Sequence, residues 1–348
     1  MKDTFLSKLI FWSLVCILIV LAGANKDNMD LESSIYEFEH YTEVRQGEWL
    51  NFLIEDFFRG MNWSFEYYRL FIHIVAYILI FSTANRFFGI NYYSLVLYAI
   101  YPFTIDFIQT PNFCSMSLVV FSTRFLVDIN TRNIIKFCIG ILFAAGMHSM
   151  AYLYLGILVI IYFMRNKDII TLGKKMLWIG VFLGLLDRVL GFIFPMMRIV
   201  TQNDDRLSLY FGGYTNWGFI MYWGTQFLLW YMMKYIYINV QKFELKYNRT
   251  ESIILKYIRV IYFITCFGLL LIPLVGYAGT MFRLVRNYYV LVYFAWAFYI
   301  KKYGNINDKV LFGISFFAFP IFMYAIESFD VHFFVMKIFD NNWILNSL

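Results

Sequence analysis

The feature that most constrains the fold is a series of apolar runs, each about as long as a lipid bilayer is thick. The runs recur from Leu9 to Ile326; 61% of the 348 residues are hydrophobic and 15% are charged. A hydrocarbon core offers no water to backbone amides, so each crossing segment must be a helix of about 17 to 25 residues. The sequence therefore predicts an all-α fold, a polytopic bundle of transmembrane helices.

We divide the chain into about eleven predicted spans. Their bounds are 7–23, 68–85, 90–107, 113–128, 133–146, 149–164, 175–195, 217–238, 256–275, 284–300 and 309–326. The fifth and sixth spans are ambiguous, because the apolar run 133–164 is long for one untilted helix and short for two. It crosses the membrane either once or twice, and the second case requires a turn at 146–148.

Positive charge favours two crossings. The basic loops then all face the cytoplasm, in agreement with the positive-inside rule, whereas one crossing would contradict the N-terminus, where Lys2 and Lys8 precede the first span. The net charge of +6 lies largely in these loops, so no nucleic-acid partner is predicted. Span 7–23 also fits a cleaved signal, but we expect an uncleaved anchor. The N-terminus is then cytoplasmic and the C-terminus external.

Residues 1–348 are predicted to form a single integral membrane domain with external loops at 24–67 and 196–216. From Lys26 to Glu66 the first loop has ten acidic and three basic residues. Within it, apolar residues recur on one helix face and polar residues on the other: Leu50, Leu53, Ile54, Phe57 and Phe58 against Asn51, Glu55, Asp56 and Arg59. This pattern predicts an amphipathic helix that lies on the outer membrane surface or packs on the outer ends of the bundle.

Several chemistries lack sequence support. There is no Walker loop, dinucleotide-binding glycine pattern, HExxH or GxSxG, which argues against ATP-driven transport and the common hydrolases. All four cysteines fall within predicted spans without metal-ligand spacing, so they are expected to be small core residues. No cofactor and no metal site is predicted.

Polar residues on the predicted external side are the candidate site. Segment 109–112 opens the fourth span, with a helix-starting proline at Pro111. His148 occupies the turn between spans five and six, as a general base or as a structural residue. Arg283 and Arg286 open span ten, three residues apart on one helix face. Their guanidinium groups either bind one phosphate together or extend to the lipid headgroups.

Taken together, these residues resemble the EpsG-like membrane proteins of bacterial exopolysaccharide loci, relatives of the Wzy O-antigen and capsule polymerases. The similar features are Asp30 with Tyr36 and Tyr41, Gly47 with Glu48, segment 109–112, the turn 143–149, and Arg283 before Tyr288 and Tyr289. One position departs from the pattern, since Pro111 stands where an arginine is usual. If that arginine normally binds lipid diphosphate, then Arg283, Arg286 or Arg198 must compensate.

The resemblance implies a GT-C-like enzyme of the bacterial cytoplasmic membrane, with glycosyl transfer on its external face. A hydroxyl of one undecaprenyl-diphosphate-linked oligosaccharide attacks the anomeric carbon of another, which builds O-antigen, capsule or exopolysaccharide. The implied catalytic residues are His148, Glu48 and Asp30; the implied substrate-binding residues are Arg283, Arg286, Tyr289, Arg198, Gln109, Asn112 and Tyr36. Expected partners are the lipid-linked substrate, the bilayer, a flippase and a chain-length regulator.

Two other classes of protein stay open at this point. One is a carrier or flippase that moves a lipid-linked sugar without chemistry. Such carriers often consist of repeated halves, and no convincing internal repeat is visible in the sequence. The other class is a non-catalytic accessory protein of a polysaccharide assembly complex, for which Pro111 is the best argument.

Overall fold

A computed structural model describes residues 5–28, 30–40, 42–44, 47–164, 168–191, 218–247, 251–275, 282–327 and 341–347. Within these ranges the regular structure is helical, apart from an isolated β-bridge between Asn25 and Asn342. The predicted all-α class is therefore confirmed. The external loop predicted at 196–216 lies outside the described residues.

Helices occur in every one of the predicted spans. They are α1 (Phe5–Gly23), α2 (Leu31–His40), α3 (Trp49–Gly60), α4 (Phe65–Phe88), α5 (Tyr92–Ile100), α6 (Phe103–Asp106), α7 (Thr110–Thr123), α8 (Thr131–Met147), α9 (Gly156–Met164), α10 (Ile169–Leu190), α11 (Gly218–Lys246), α12 (Ile253–Leu270), α13 (Ile272–Val275), α14 (Arg283–Arg286), α15 (Tyr289–Lys302) and α16 (Ile306–Glu327). Short 3₁₀ helices cover Arg124–Leu126, Ser149–Leu155 and Leu345–Ser347.

Four helices of the described chain, α1, α4, α10 and α12, are long and apolar enough to cross a membrane. The protein is therefore a multi-pass membrane protein, while the count of about eleven spans stays a prediction. Predicted span 90–107 is broken into α5 and α6, because Pro102 has no N–H to donate and holds Tyr101 in an extended conformation. The run 133–164 is likewise interrupted at His148.

The chain divides into two compact units. The first contains residues 1–154 and 289–348, and the second contains residues 155–288. In the first unit, α4 packs against α1 and α7, and α7 packs against α8. In the second unit, α12 packs against α9, α10 and α11.

The last described residues of the first unit lie beside the end of α1. The Lys26 N–H donates to the Asn341 carbonyl at 2.6 Å, and the Trp343 N–H donates to the Ala24 carbonyl at 3.0 Å. Backbone hydrogen bonds thus join residues 24–26 to residues 341–343, which are more than 300 positions apart in the sequence. Segment 341–347 consequently lies at the same end of the unit as the beginning of the acidic loop.

A buried arginine holds the segment before α7 at this same end. Arg69 on α4 is 1% exposed and donates to the carbonyls of Asn25 and Phe107 at 2.5 and 3.0 Å. The other end of α1 is held by the Tyr92 hydroxyl, which donates to the Ser7 carbonyl at 2.8 Å. The acidic loop and the segment before α7 therefore lie together, away from the beginning of α5.

The acidic loop is folded into α2 and α3, and α3 packs against α4 and α8. Four aromatic residues and three other apolar residues from α2, α3, α4, α7 and α8 share one hydrophobic cluster: Phe38, Phe58, Phe65, Tyr68, Ile72, Cys114 and Met147. Burying each large apolar side chain stabilises the fold by about 1.5 to 3 kcal/mol. The cluster thus fixes α2 and α3 on the end of the helix bundle.

The polar face predicted for α3 is wrong at two positions, Asn51 and Glu55. Asn51 and Glu55, assigned to the polar outer face, are both 8% exposed, whereas Leu53 and Phe57, assigned to the apolar face, are 54% and 59% exposed. The Asn51 amide donates to Glu55 Oε1 at 2.8 Å and accepts from the Tyr68 hydroxyl at 2.5 Å. Because these bonds satisfy the buried polar groups, the helix can turn this face inward.

Candidate functional site

The structure brings together two of the predicted catalytic residues, Glu48 and His148. His148 Nδ1 lies 3.3 Å from Glu48 Oε1, and the Ser149 N–H donates to the same oxygen at 3.3 Å. The two side chains are 20% and 22% exposed, so both are accessible to a ligand. A carboxylate close to one imidazole nitrogen, with the other nitrogen available, is the arrangement found in many general-base pairs.

Gly146 explains why these distant segments meet. A Cβ at this position would lie 2.7 Å from the Trp49 ring and 2.9 Å from Leu50 Cβ, so the first turn of α3 rests directly on the last turn of α8. The Trp49 ring also packs on Phe143, with the ring centroids 5.6 Å apart. His148 then leaves α8 in an extended conformation, beside the residue that precedes α3.

Asp30 and Tyr36 belong to the region of α2. The Asp30 N–H donates to Asn28 Oδ1 at 3.1 Å, which makes Asp30 part of the turn before this helix. Tyr36 is 59% exposed, and its ring stacks on His40 at a centroid distance of 4.3 Å. Tyr36 therefore presents an accessible aromatic face, whereas a catalytic role for Asp30 stays a prediction. Tyr41 lies outside the described residues.

Segment 109–112 begins α7, with Pro111 in the first turn as expected. The Asn112 amide donates to Gln109 Oε1 at 3.4 Å, and Asn112 is buried. The buried guanidinium of Arg69 is bonded to the Phe107 carbonyl, two residues before Gln109. Positive charge thus reaches this segment from α4, although Pro111 occupies the position where an arginine was expected.

Arg69 and His73 were not among the predicted site residues. They lie one turn apart on α4, and both are buried. Among the described residues, the two ring nitrogens of His73 have no hydrogen-bond partner. The His73 ring packs on Phe113, with centroids 5.3 Å apart. The signal that could have singled them out is their polarity within an apolar run, because ionisable residues at membrane depth are costly.

The predicted arginine pair lies in the second unit, on the one-turn helix α14. Arg283 is half-buried and Arg286 is 4% exposed. In the same unit, the Tyr288 hydroxyl donates to Gln226 Oε1 at 2.7 Å, and the Gln226 amide donates to the Thr265 carbonyl at 2.9 Å. These bonds fix the segment that follows the arginines.

Tyr289 belongs to the first unit, so the predicted substrate-binding residues are divided between the two units. Tyr289 is fully buried, and its ring packs against Tyr101 and Phe319 at centroid distances of 5.7 and 5.4 Å. These surroundings are those of a core aromatic residue. Arg198 lies outside the described residues.

Apolar membrane-length helices and an accessible carboxylate–imidazole pair define a multi-pass membrane protein with a polar candidate site. The model of the EpsG family matches residues 8–337, nearly the whole chain, and the chain belongs to this family. The resemblance inferred from the sequence is therefore confirmed, and it indicates a membrane protein of polysaccharide biosynthesis. Neither a curated protein nor a solved structure matches the chain significantly.

Proposed function

We propose that this protein is a glycosyltransferase that polymerises undecaprenyl-diphosphate-linked oligosaccharide repeats into a surface polysaccharide. The observation that carries the proposal is the Glu48–His148 pair, with 3.3 Å between Oε1 and Nδ1. Membership of the EpsG family supports the substrate class. The product is an O-antigen, a capsule or an exopolysaccharide.

The proposed reaction is a single substitution at an anomeric carbon. A hydroxyl oxygen of the acceptor repeat forms the new glycosidic bond, while the bond between the donor sugar and its diphosphate breaks. The electron pair leaves with the undecaprenyl diphosphate. His148 Nε2 takes the hydroxyl proton, and Glu48 holds Nδ1 and stabilises the imidazolium that forms.

The leaving diphosphate requires positive charge, because its negative charge grows as the bond breaks. We assign this role to Arg283 and Arg286, since a planar guanidinium donates two parallel hydrogen bonds to phosphate oxygens and stays charged at any physiological pH. Gln109, Asn112 and Tyr36 are assigned to the sugars, because amide and phenol groups both donate and accept hydrogen bonds.

The reaction is assigned to the external face of the bacterial cytoplasmic membrane. The acidic residues of α2 and α3 lie at the end of the first unit that also contains His148. Lys8 lies at the opposite end, near the beginning of α1. Under the positive-inside rule this arrangement supports a cytoplasmic N-terminus, and the hydrogen bonds between segment 341–347 and the end of α1 support an external C-terminus.

Reconstitution tests the proposal directly. The purified protein in lipid vesicles, without a flippase or a chain-length regulator, should convert lipid-linked repeats into longer chains and release lipid diphosphate. Movement of the lipid-linked sugar across the bilayer without new linkages would instead identify a carrier. If the vesicles show no new linkages and no movement of the lipid-linked sugar, the protein is an accessory protein. Either of these last two outcomes would overturn the proposal.

The contact at Gly146 gives a prediction for this assay. Gly146→Ala should push Trp49 and Leu50 away from α8, because the added Cβ would lie 2.7 to 2.9 Å from their atoms. A shift of about 1 Å in a catalytic group can lower turnover by roughly 10²-fold, so we expect a large loss of polymer per folded molecule. Glycosyl transfer and thermal stability are measured together, because overpacking also costs about 1 to 3 kcal/mol.

Gly60→Ala is the matched control, because a Cβ at Gly60 meets no atom within 4 Å. Gly60 ends α3, the helix that Trp49 begins and that packs on Gly146 of α8, so the control makes the same chemical change in the partner helix away from the contact. It should leave turnover unchanged. Equal turnover in the Gly60 and Gly146 variants would show that this contact does not position Glu48.

A further inference from the structure

An open groove lies at the far end of α3 from the Glu48–His148 pair. Its volume is about 510 Å³, within the range of about 300 to 1,000 Å³ typical of small-molecule sites. Residues of α2, of the end of α3 and of the beginning of α4 line it: Ile35, Phe38, Glu39, Arg59, Asn62, Trp63, Ser64, Phe65 and Glu66. The whole groove belongs to the first unit.

Trp63 provides a fixed aromatic surface in this groove. Trp63 is 46% exposed, and its ring packs against the rings of Phe58 and Tyr67 at centroid distances of 5.4 and 6.0 Å. The backbone N–H of Trp63 donates to the Phe58 carbonyl at 3.0 Å, and Asn62 adopts a left-handed φ of 56° that reverses the chain, so the backbone that carries the indole is fixed. The ring itself packs on Phe58 and Tyr67, which support one side of the indole.

Two of the five polar residues that line the groove are carboxylates, Glu39 and Glu66. Glu39 is exposed and Glu66 is half-buried, and Lys26 lies 3.6 Å from the Glu66 carboxylate. The Arg59 guanidinium is already engaged, because it donates to the Phe38 carbonyl at 2.7 Å and lies 3.5 Å from Asp56. The groove therefore offers carboxylate oxygens to hydroxyl donors, with little free positive charge for an anion.

This composition matches one kind of ligand. A pyranose ring has an apolar face of C–H groups that stacks on an aromatic ring, and a rim of hydroxyls that donate to carboxylates and amides. We infer that the groove is a carbohydrate subsite, in which a sugar ring stacks on Trp63 and its hydroxyls donate to Glu39 and Glu66. This inference rests on the proposed function, because it assigns a place to part of the same oligosaccharide.

The position of the groove indicates which part of the oligosaccharide it holds. Glu48 precedes α3 and Arg59 lies in its last turn, a separation along the helix axis of about 17 Å at 1.5 Å per residue. A sugar in the groove is thus several sugar units away from the reacting hydroxyl at His148. The groove holds a repeat by its remote sugars, and so aligns the acceptor for attack.

Binding of free oligosaccharides tests the inference without requiring turnover. The probe is a mixture of oligosaccharides released by partial hydrolysis from the surface polysaccharide of the cells that make this protein, with maltotriose as an unrelated sugar. The full-length protein is held in lipid nanodiscs, and binding is followed by saturation-transfer NMR and calorimetry. Trp63→Ala should weaken binding roughly tenfold, the effect of losing one aromatic stacking contact.

Two further variants sharpen the test. Glu39→Gln should weaken binding several-fold, since a neutral amide is a poorer acceptor for hydroxyl groups. Trp178→Ala removes a tryptophan that is 71% exposed on α10 in the other unit, and it should leave binding unchanged. Full affinity in Trp63→Ala, or an equal loss in Trp178→Ala, would overturn the inference.

The two proposals fail in different ways. If the wild-type protein links no repeats but Trp63→Ala still loses oligosaccharide binding, the polymerase proposal fails and the carbohydrate subsite stands. If the wild-type protein links repeats and Trp63→Ala makes polymer of the same length at the same rate, the subsite fails and the polymerase proposal stands.

Discussion

His148→Gln should lower turnover by roughly 10² to 10⁴ while the protein folds normally. Glutamine keeps a polar side chain beside Glu48 but offers no basic nitrogen to an incoming hydroxyl, and a positioned general base contributes about this factor. Wild-type turnover should fall as the medium is acidified, because a protonated imidazole cannot accept the hydroxyl proton. The glutamine variant should lose this dependence. The measurement is polymer formed per unit of detergent-stable protein at two pH values.

His40→Gln is the control for the histidine experiment. His40 is an exposed histidine at the end of α2, so its replacement makes the same chemical change outside the pair. It should leave the pH dependence of turnover unchanged, and the loss of its stacking on Tyr36 should affect KM rather than kcat. If His148 only maintains the break after α8, His148→Gln will instead cost about 0.5 to 1.5 kcal/mol of stability and retain normal activity per molecule. That result would show that His148 is not the general base.

Arg283→Ala should abolish detectable polymer, with an expected loss of roughly 10² to 10³ in turnover and unchanged expression. A positively charged donor aimed at the leaving diphosphate contributes about this much, because it stabilises charge that develops only in the transition state. Arg283→Lys should recover part of the activity, since an ammonium group restores the charge but cannot donate two parallel hydrogen bonds to one phosphate. Initial rates of diphosphate release distinguish the variants.

Arg86→Ala provides the comparison, because Arg86 is an exposed arginine near the end of α4. Its loss should not alter diphosphate release. Full activity in Arg283→Lys would show that the positive charge is needed but bidentate hydrogen bonding is not. Full activity in Arg283→Ala would show that other residues bind the diphosphate.

Hydropathy predicted where helices form and the turn at 146–148, but not the interruption within span 90–107. Each apolar run became helical because backbone amides in a bilayer must be satisfied within their own segment. The break at Tyr101 and Pro102 was not predicted, although proline restricts both its own φ and the conformation of the residue before it. Length and composition alone identify α1, α4, α10 and α12 as spans. Whether the shorter helices cross the membrane depends on how they pack against other helices, which the hydrophobic periodicity of one segment does not describe.

The orientation of α3 shows a second limit. The helical pattern assigns Asn51 and Glu55 to the polar face because the sequence of one helix does not show their hydrogen-bond partners. Their partners are each other and the hydroxyl of Tyr68 on the next helix. Once these bonds form, Asn51 and Glu55 can be buried. Local periodicity cannot report a hydrogen bond to another helix.

The candidate site was predictable in part. Glu48 and His148 were each singled out in the sequence, yet their contact spans 100 residues and depends on Gly146, which allows α3 to rest on α8. Arg69 was missed because its partners are the backbone carbonyls of Asn25 and Phe107, and a carbonyl has no sequence signature. Residue identity suggested the chemistry, whereas only the fold could show which groups meet.

The division of the chain into units has a consequence for biosynthesis. The first unit is discontinuous, because residues 289–348 join residues 1–154 only after the whole intervening unit has been made. A ribosome releases the N-terminal part first, at about 5 to 20 residues per second, so Glu48 and His148 emerge well before the aromatic core of α15. The segments that carry Glu48 and His148 are therefore synthesised before residues 289–348, which complete the same unit. A chain truncated before residue 289 would contain both catalytic candidates and lack the helix that completes the core around Tyr101.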